Sequence, residues 1–229
     1  ENKKTSKQLA DSITLGVGQF CTKPGVIFLL EKNKDVIKKV TDEIKKKENG
    51  ILLNKNIQNN LIKKIEITKD TKNVEILAGG KSYENRLSVE NTVFLTDIKT
   101  YLKNKNLQEE HFGPVVLFVI CKNINDLIKA AKMLNGQLTT TIHINKKDYE
   151  KANEIIDILT NKVGRIIING VPTGVKVCKA MIHGGPYPAT TSSLFTSVGM
   201  KAINRFLRPV SYQNFPDELL PYDLRKYID

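Results

Sequence analysis

Cysteine is scarce in this 229-residue chain: Cys21, Cys121 and Cys178 are odd in number, far apart and form no CxxC pair. That argues against a disulfide framework and against a structural zinc site. Cys178 has His183 five residues on, but two ligands do not make a metal site, and no metal is expected. Apolar runs are short as well. None approaches the roughly 18 residues needed to span a bilayer, and the opening "ENKKTSKQLADS" lacks the apolar stretch and cleavage site of a signal peptide. No membrane partner is expected, and the chain is read as cytoplasmic. An aromatic-basic RNA-binding signature, a helix-turn-helix cue, a zinc finger, an internal repeat and a low-complexity linker are also lacking.

What is present is positive charge, a formal +12 with 36 Lys and Arg against 24 Asp and Glu. Phosphate binding needs such charge clustered on one face. Here the lysines are dispersed over helical segments such as "VIKKVTDEIKKK" and "LNKNIQNNLIKK", interleaved with acids and asparagines. A solvated basic face is the expectation, and no nucleic-acid partner. The length and the 40% hydrophobic content suit a folded chain with a sizeable core.

Periodicity gives alternating elements. Residues 4–14 read as a helix leading into a glycine bend, and "GVIFLLE" (25–31) as a buried strand. Val36, Ile37, Val40 and Ile44 share one helix face, with a left-handed C-cap expected at Asn49-Gly50. A second helix is expected over 55–65, and strands over 73–79 and 91–98 around a Gly-Gly turn. "VVLFVIC" (115–121) is a strand in which Cys121 reads as a buried structural thiol. Ile124, Leu127, Ile128, Ala131 and Leu134 make a helix stripe ending at Asn135-Gly136. Strand "LTTTIHI" (138–144), a helix through Tyr149, Ala152, Ile155, Ile156 and Leu159, and strand "GRIIIN" (164–169) follow. Repetition of strand, helix and strand argues for an α/β fold with a largely parallel twisted sheet flanked by helices. Residues 170–198 are rich in Gly, Pro, Ser and Thr without a period, and a loop of that length is more often functional than idle. A last helix is expected at roughly 197–206, before a proline-punctuated tail.

The chemistry points to "LGVGQFCTKPG", where Cys21 lies just after two glycines. A cysteine nucleophile must be accessible, and backbone N–H groups at a bend favour the thiolate. Gly16 and Gly18 let the main chain approach a substrate and offer N–H donors to an oxyanion. Cys21 is therefore a candidate for attack on a carbonyl, although a small apolar cysteine at a helix–strand junction is the plainer alternative.

"GQFCTKPG" resembles the Gly-Gln-x-Cys nucleophile motif of aldehyde dehydrogenases. "EEHFGPVV" (109–116) is similar to that family's Glu-Glu-x-Phe-Gly-Pro motif, and "GRIIING" (164–170) to the strand and asparagine ahead of its substrate-entrance loop. Together with "NGVPTGVKVCKAMIHGGPYPATT" and "TSVGMKAINRFLRPVSYQNFPDELLP", these motifs resemble the 2-oxoglutarate semialdehyde (2,5-dioxopentanoate) dehydrogenase branch. Gly16 departs from the asparagine that many family members carry there, which suits this branch.

The resemblance implies that Cys21 is the nucleophile and its N–H half of an oxyanion hole. Glu110 would hydrogen-bond the nicotinamide ribose, with Phe112 packed beside it. Phe20, Thr22 and Val171 would line the aldehyde pocket. His183 is expected to support its glycine turn rather than to act in catalysis, and Arg205 and Arg208 to form ordinary ion pairs. The implied activity is oxidation of an aldehyde, 2-oxoglutarate semialdehyde to 2-oxoglutarate, with NADP or NAD through a thiohemiacetal and a thioester. The family's general base and phosphate-binding loop have no counterpart motif here. Residues 1–208 are thus expected to be a catalytic domain and 209–229 a tail lying on another domain or subunit. The N-terminal cofactor-binding domain is expected to lie outside this sequence, the intact enzyme is expected to be a homo-oligomer, and the chain alone is expected to be inactive. The competing reading is a noncatalytic domain retained for assembly or polyanion binding.

Overall fold

The structure, a computed structural model, describes residues 2–83 and 85–225. Helix α1 (Asn2–Thr14) leads through a turn to strand β1 (Val26–Leu30) and helices α2 (Asp35–Lys45) and α3 (Lys55–Lys69). Strand β2 (Glu75–Ala78), a short hairpin of β3 (Ser82–Tyr83) and β4 (Ser88–Val89), strand β5 (Thr92–Asp97) and helix α4 (Ile98–Lys103) come next. Strand β6 (Val115–Cys121), helix α5 (Ile124–Met133), strand β7 (Gln137–Ile142), helix α6 (Tyr149–Thr160) and strand β8 (Val163–Ile168) complete the body.

Strands β1, β6 and β5 run parallel, with β2 antiparallel on β5 as the edge, in the order β1-β6-β5-β2. Strands β7 and β8 form a separate parallel pair. The largely parallel α/β architecture read from the sequence is therefore present. Strand β6 shows why its run is apolar throughout. Val115, Leu117, Val119 and Cys121 face one core cluster with α3 and α4, while Val116 and Phe118 face a second with α1 and α2. A strand covered on both faces has no polar alternation to show.

Helix boundaries follow caps and tertiary contacts. Asn54, Asp97 and Asn123 accept from the N–H groups of Ile57, Thr100 and Asp126 and so start α3, α4 and α5. Helix α2 ends at Lys45, with Lys46 still right-handed, so the expected left-handed cap at Asn49-Gly50 is not formed. Helix α3 runs past residue 65 to Lys69, because buried Thr68 is bound to His111. The expected helix stripe through Leu134 stops at Met133, and Ile98 begins α4 rather than ending β5. The last expected helix is a 3₁₀ segment, Met200–Phe206, with no buried residue.

Lysines on the helices pair with acids three or four residues away, as in Lys39–Asp35 and Lys46–Glu43, which fits a solvated face. No helix among the described residues is long and apolar enough to cross a membrane. Nearly every residue from 203 to 225 is exposed, including Phe206, Val210 and Tyr222. The expected tail continues into 226–229, outside the described residues.

Candidate active site

Cys21 and Phe112 each lie five residues before a register pair, Val26 and Leu117 of β1 and β6. Parallel pairing therefore brings two segments some 90 residues apart in sequence to the same end of the sheet. The backbone does the rest. Gly16, Val17 and Gly18 have φ of 55°, 59° and 66°, three consecutive left-handed residues. Two are glycine, where this conformation carries little cost, but a β-branched valine held there stores strain. A Cβ on Gly18 would sit 2.2 Å from the Gly113 oxygen, so only glycine lets this turn lie against the Phe112-Gly113-Pro114 backbone.

The side chain of Gln19 braces the loop, donating from Nε2 to the Gly16 carbonyl at 3.2 Å and accepting from the Leu53 N–H at 2.9 Å. Lys23 is buried, and its Nζ donates to the carbonyls of His111 at 3.0 Å and Val115 at 2.7 Å. His111 in turn shares a hydrogen bond of 2.9 Å with the Thr68 hydroxyl. Burial first, then the charges of Lys23 and Lys64, pulls its pKa down to about 4, so the imidazole is neutral at physiological pH.

On this frame Cys21 is exposed, and its N–H donates to no acceptor among the described residues. The sequence placed His183 in a supporting role only. Its backbone does hold the turn, since its N–H donates to Thr196 Oγ1 and its carbonyl accepts from the Ser197 N–H. The ring goes further: Nε2 lies 3.3 Å from Cys21 Sγ, while Nδ1 is buried with no partner among the described residues. Burial, and secondarily the charge of Arg165, holds the His183 pKa below its ordinary value. Arg165 donates to the carbonyls of Pro172 and Gly174 and so pins the loop after β8. Gly184 packs its backbone on Gly164 at the start of that strand, where a Cβ on Gly164 would sit 2.1 Å from the Gly184 oxygen.

The remaining expected site residues differ in exposure. Phe20 is exposed, its ring lying over Gly16. Thr22 is buried, and Val171 is half-buried against the second core cluster. Glu110 is exposed with no hydrogen-bond partner for its carboxylate among the described residues, and Phe112 is half-buried. Lys64 holds this segment by donating to the Glu110 carbonyl at 2.8 Å and pairing with Glu109 at 3.1 Å. Arg205 lies over the Phe195 ring and pairs with no acid among the described residues. Two surface depressions, one around Lys72, Asp97 and Lys103 and one around Asn49, Tyr83 and Arg86, include none of these groups. Cys121 is buried, and burial, reinforced by the charge of Asp126, pushes its thiol up to about 12, which makes it inert. No group of three or more potential metal ligands occurs among the described residues.

The fold is an α/β domain with a largely parallel sheet, and it brings a thiol and an imidazole into contact on its loops. The particular family emerges from its known relatives. The pattern of the aldehyde dehydrogenase family matches residues 1–207, and the chain belongs to that family. It is 37% identical over 218 residues to alpha-ketoglutaric semialdehyde dehydrogenase 2 of Azospirillum brasilense, covering 94% of this chain and 42% of that protein. It is also 37% identical over 221 residues to alpha-ketoglutaric semialdehyde dehydrogenase of Acinetobacter baylyi, covering 95% of this chain and 42% of the relative. The chain thus spans less than half the length of these relatives. Its fold is similar to that of gamma-glutamyl-gamma-aminobutyraldehyde dehydrogenase from Burkholderia cenocepacia. That match has a TM-score of 0.74 and 16% identity over 90% of this chain and 41% of the other. Aldehyde dehydrogenase 21 from Physcomitrella patens matches with a TM-score of 0.67 and 20% identity over 80% of this chain and 38% of that one.

Proposed function

We propose that the protein carrying this chain oxidises an aldehyde with NAD or NADP through a covalent intermediate on Cys21. The observation that carries this reading is the exposed Cys21 thiol in contact with His183 Nε2 at 3.3 Å. The printed names of the 37% identical relatives support 2-oxoglutarate semialdehyde, the same compound as alpha-ketoglutaric semialdehyde, as the substrate.

With the ring proton on Nδ1, His183 Nε2 accepts the thiol proton and Sγ attacks the aldehyde carbon. The new C–S bond forms as the carbonyl π pair moves onto oxygen, where the Cys21 N–H can donate to the oxyanion. Glu110 offers an exposed carboxylate with no hydrogen-bond partner among the described residues, two residues from an apolar ring, and such a carboxylate can accept from both hydroxyls of a ribose diol. Glu110 and Phe112 would therefore hold the nicotinamide ribose. A bound nicotinamide supplies the hydride acceptor. The thioester then standing on Cys21 is cleaved by water, giving the carboxylate and returning the thiol. Phe20, Thr22 and Val171 line the aldehyde side.

The test joins this chain to an upstream cofactor-binding segment of the same branch and follows NADH and NADPH formation with 2-oxoglutarate semialdehyde. The joined enzyme turns over and the chain alone does not. Cys21→Ser abolishes oxidation, whereas Glu110→Gln chiefly slows hydride transfer. An active Cys21→Ser enzyme, or robust activity of the bare chain, would overturn the assignment.

A further inference from the structure

Lys23 combines burial with charge in an unusual setting. It is 8% exposed, and its ammonium meets two carbonyl oxygens but no carboxylate within bonding distance. Burying an ammonium without a paired anion is expensive, and two neutral acceptors offset that only in part. Burial draws its pKa down to about 8 even though the charge of Glu110 opposes this. Space filling alone would be served as well by a methionine or a leucine, without that penalty.

The geometry shows what the lysine holds. It lies two residues after Cys21, and its two acceptors, His111 and Val115, stand at the two ends of the Phe112-Gly113-Pro114 turn. The same loop and turn touch a second time on the other side of Cys21, where Gly18 lies against Gly113 and Pro114. Contacts at residues 18 and 23 therefore bracket the thiol and fasten its loop to the segment that begins with Glu110. That turn is itself fixed from behind, by His111 on Thr68 and by Lys64 on the Glu110 carbonyl. The thiol loop and the Glu110–Phe112 segment are thus joined at two points, one of them through the Lys23 side chain.

We propose that Lys23 is a positioning residue that couples the placement of the Cys21 thiol to occupation of the nicotinamide ribose site at Glu110 and Phe112, resting on the roles given to those three residues above. Lys23 touches neither aldehyde nor dinucleotide. It transmits, through the 111–115 turn, the ordering of one segment to the other.

The experiment uses the enzyme with its cofactor half present and reads the rate of Cys21 alkylation by iodoacetamide, by peptide mapping, with and without saturating NAD or NADP. In the parent enzyme the dinucleotide changes that rate by about fivefold or more, the low end of ordinary site-to-site coupling. Lys23→Met and Lys23→Gln bring the ratio to within about twofold of one, while dinucleotide affinity and Cys178 labelling move by less than about threefold. A general loosening of the fold would instead raise Cys178 and Cys121 labelling and leave the ratio in place. Retention of the parent ratio in either folded variant overturns the proposal. Failure of both variants to fold overturns it too, because the lysine would then serve the fold alone. A parent enzyme with no dinucleotide effect on the rate overturns the proposal as well, whereas an active Cys21→Ser enzyme overturns the underlying site assignment instead.

Discussion

Gly18→Ala is the sharpest perturbation of the thiol loop. The new Cβ would lie 2.2 Å from the Gly113 oxygen, 2.3 Å from its carbonyl carbon and 2.6 Å from the Pro114 nitrogen. All three are backbone atoms, so no flexible side-chain end can move aside. A φ of 66° adds left-handed strain, which for alanine costs about 1–2 kcal/mol. Overpacking of this kind typically adds about 1–3 kcal/mol. The sum, about 2–5 kcal/mol, corresponds to a fall in melting temperature of about 4–20 °C for a chain of this size. If the loop retreats instead, restoring an ordinary contact needs a shift of about 1 Å, and a misplacement of that size costs about 100-fold in turnover. Gly25→Ala is the control, since its φ is not left-handed and its Cβ would meet only Lys23 Nζ, at 3.5 Å. Thermal unfolding of the chain and dinucleotide reduction by the joined enzyme decide the matter. A Gly18→Ala protein with unchanged melting and turnover within about threefold of the parent would refute the claim that this backbone approach seats the thiol.

Other expected outcomes are as direct. Iodoacetamide at neutral pH modifies Cys21 first and leaves Cys121 unlabelled until the chain unfolds, because Cys121 is buried with its thiol pushed up to about 12; peptide mapping reads this. His183→Asn slows Cys21 alkylation at pH 7 by about tenfold or more by removing its proton acceptor, with Cys178 labelling as the internal reference. The Lys23 pKa of about 8 in the folded chain lies below the ordinary 10.5, so the folded state binds fewer protons between those values and this group's contribution to stability rises with pH across that window. Relative to Lys23→Met, the parent gains up to about 3 kcal/mol between pH 8 and 10.5 in urea unfolding, and parallel pH profiles for the two proteins would contradict the burial of that ammonium.

Much of the architecture was legible because it rests on local signals. The apolar run of β6, the stripe of α5 and the alternation of strands and helices are patterns within ten or so residues, set by side chains that must reach a core. Where tertiary contact sets a boundary, periodicity was silent. Helix α3 continues to Lys69 because Thr68 finds His111, and the Met200–Phe206 segment tightens to 3₁₀ where no core meets it. The hairpin of β3 and β4 and the short α4 were too brief to register.

The candidate site divides along the same line. The sequence by itself determined which thiol deserves notice, since glycines on either side of a loop cysteine are a local statement about backbone freedom, and its motifs resembled the aldehyde dehydrogenase family to which the chain belongs. Only the tertiary structure decided what faces that thiol. His183 reaches Cys21 across 162 residues, and Lys23 reaches His111 and Val115 across 88 and 92. These contacts depend on parallel strand pairing and on glycine backbones packed against one another at the strand ends. Such pairings are set by the global register of the sheet and leave no period in the residues that make them.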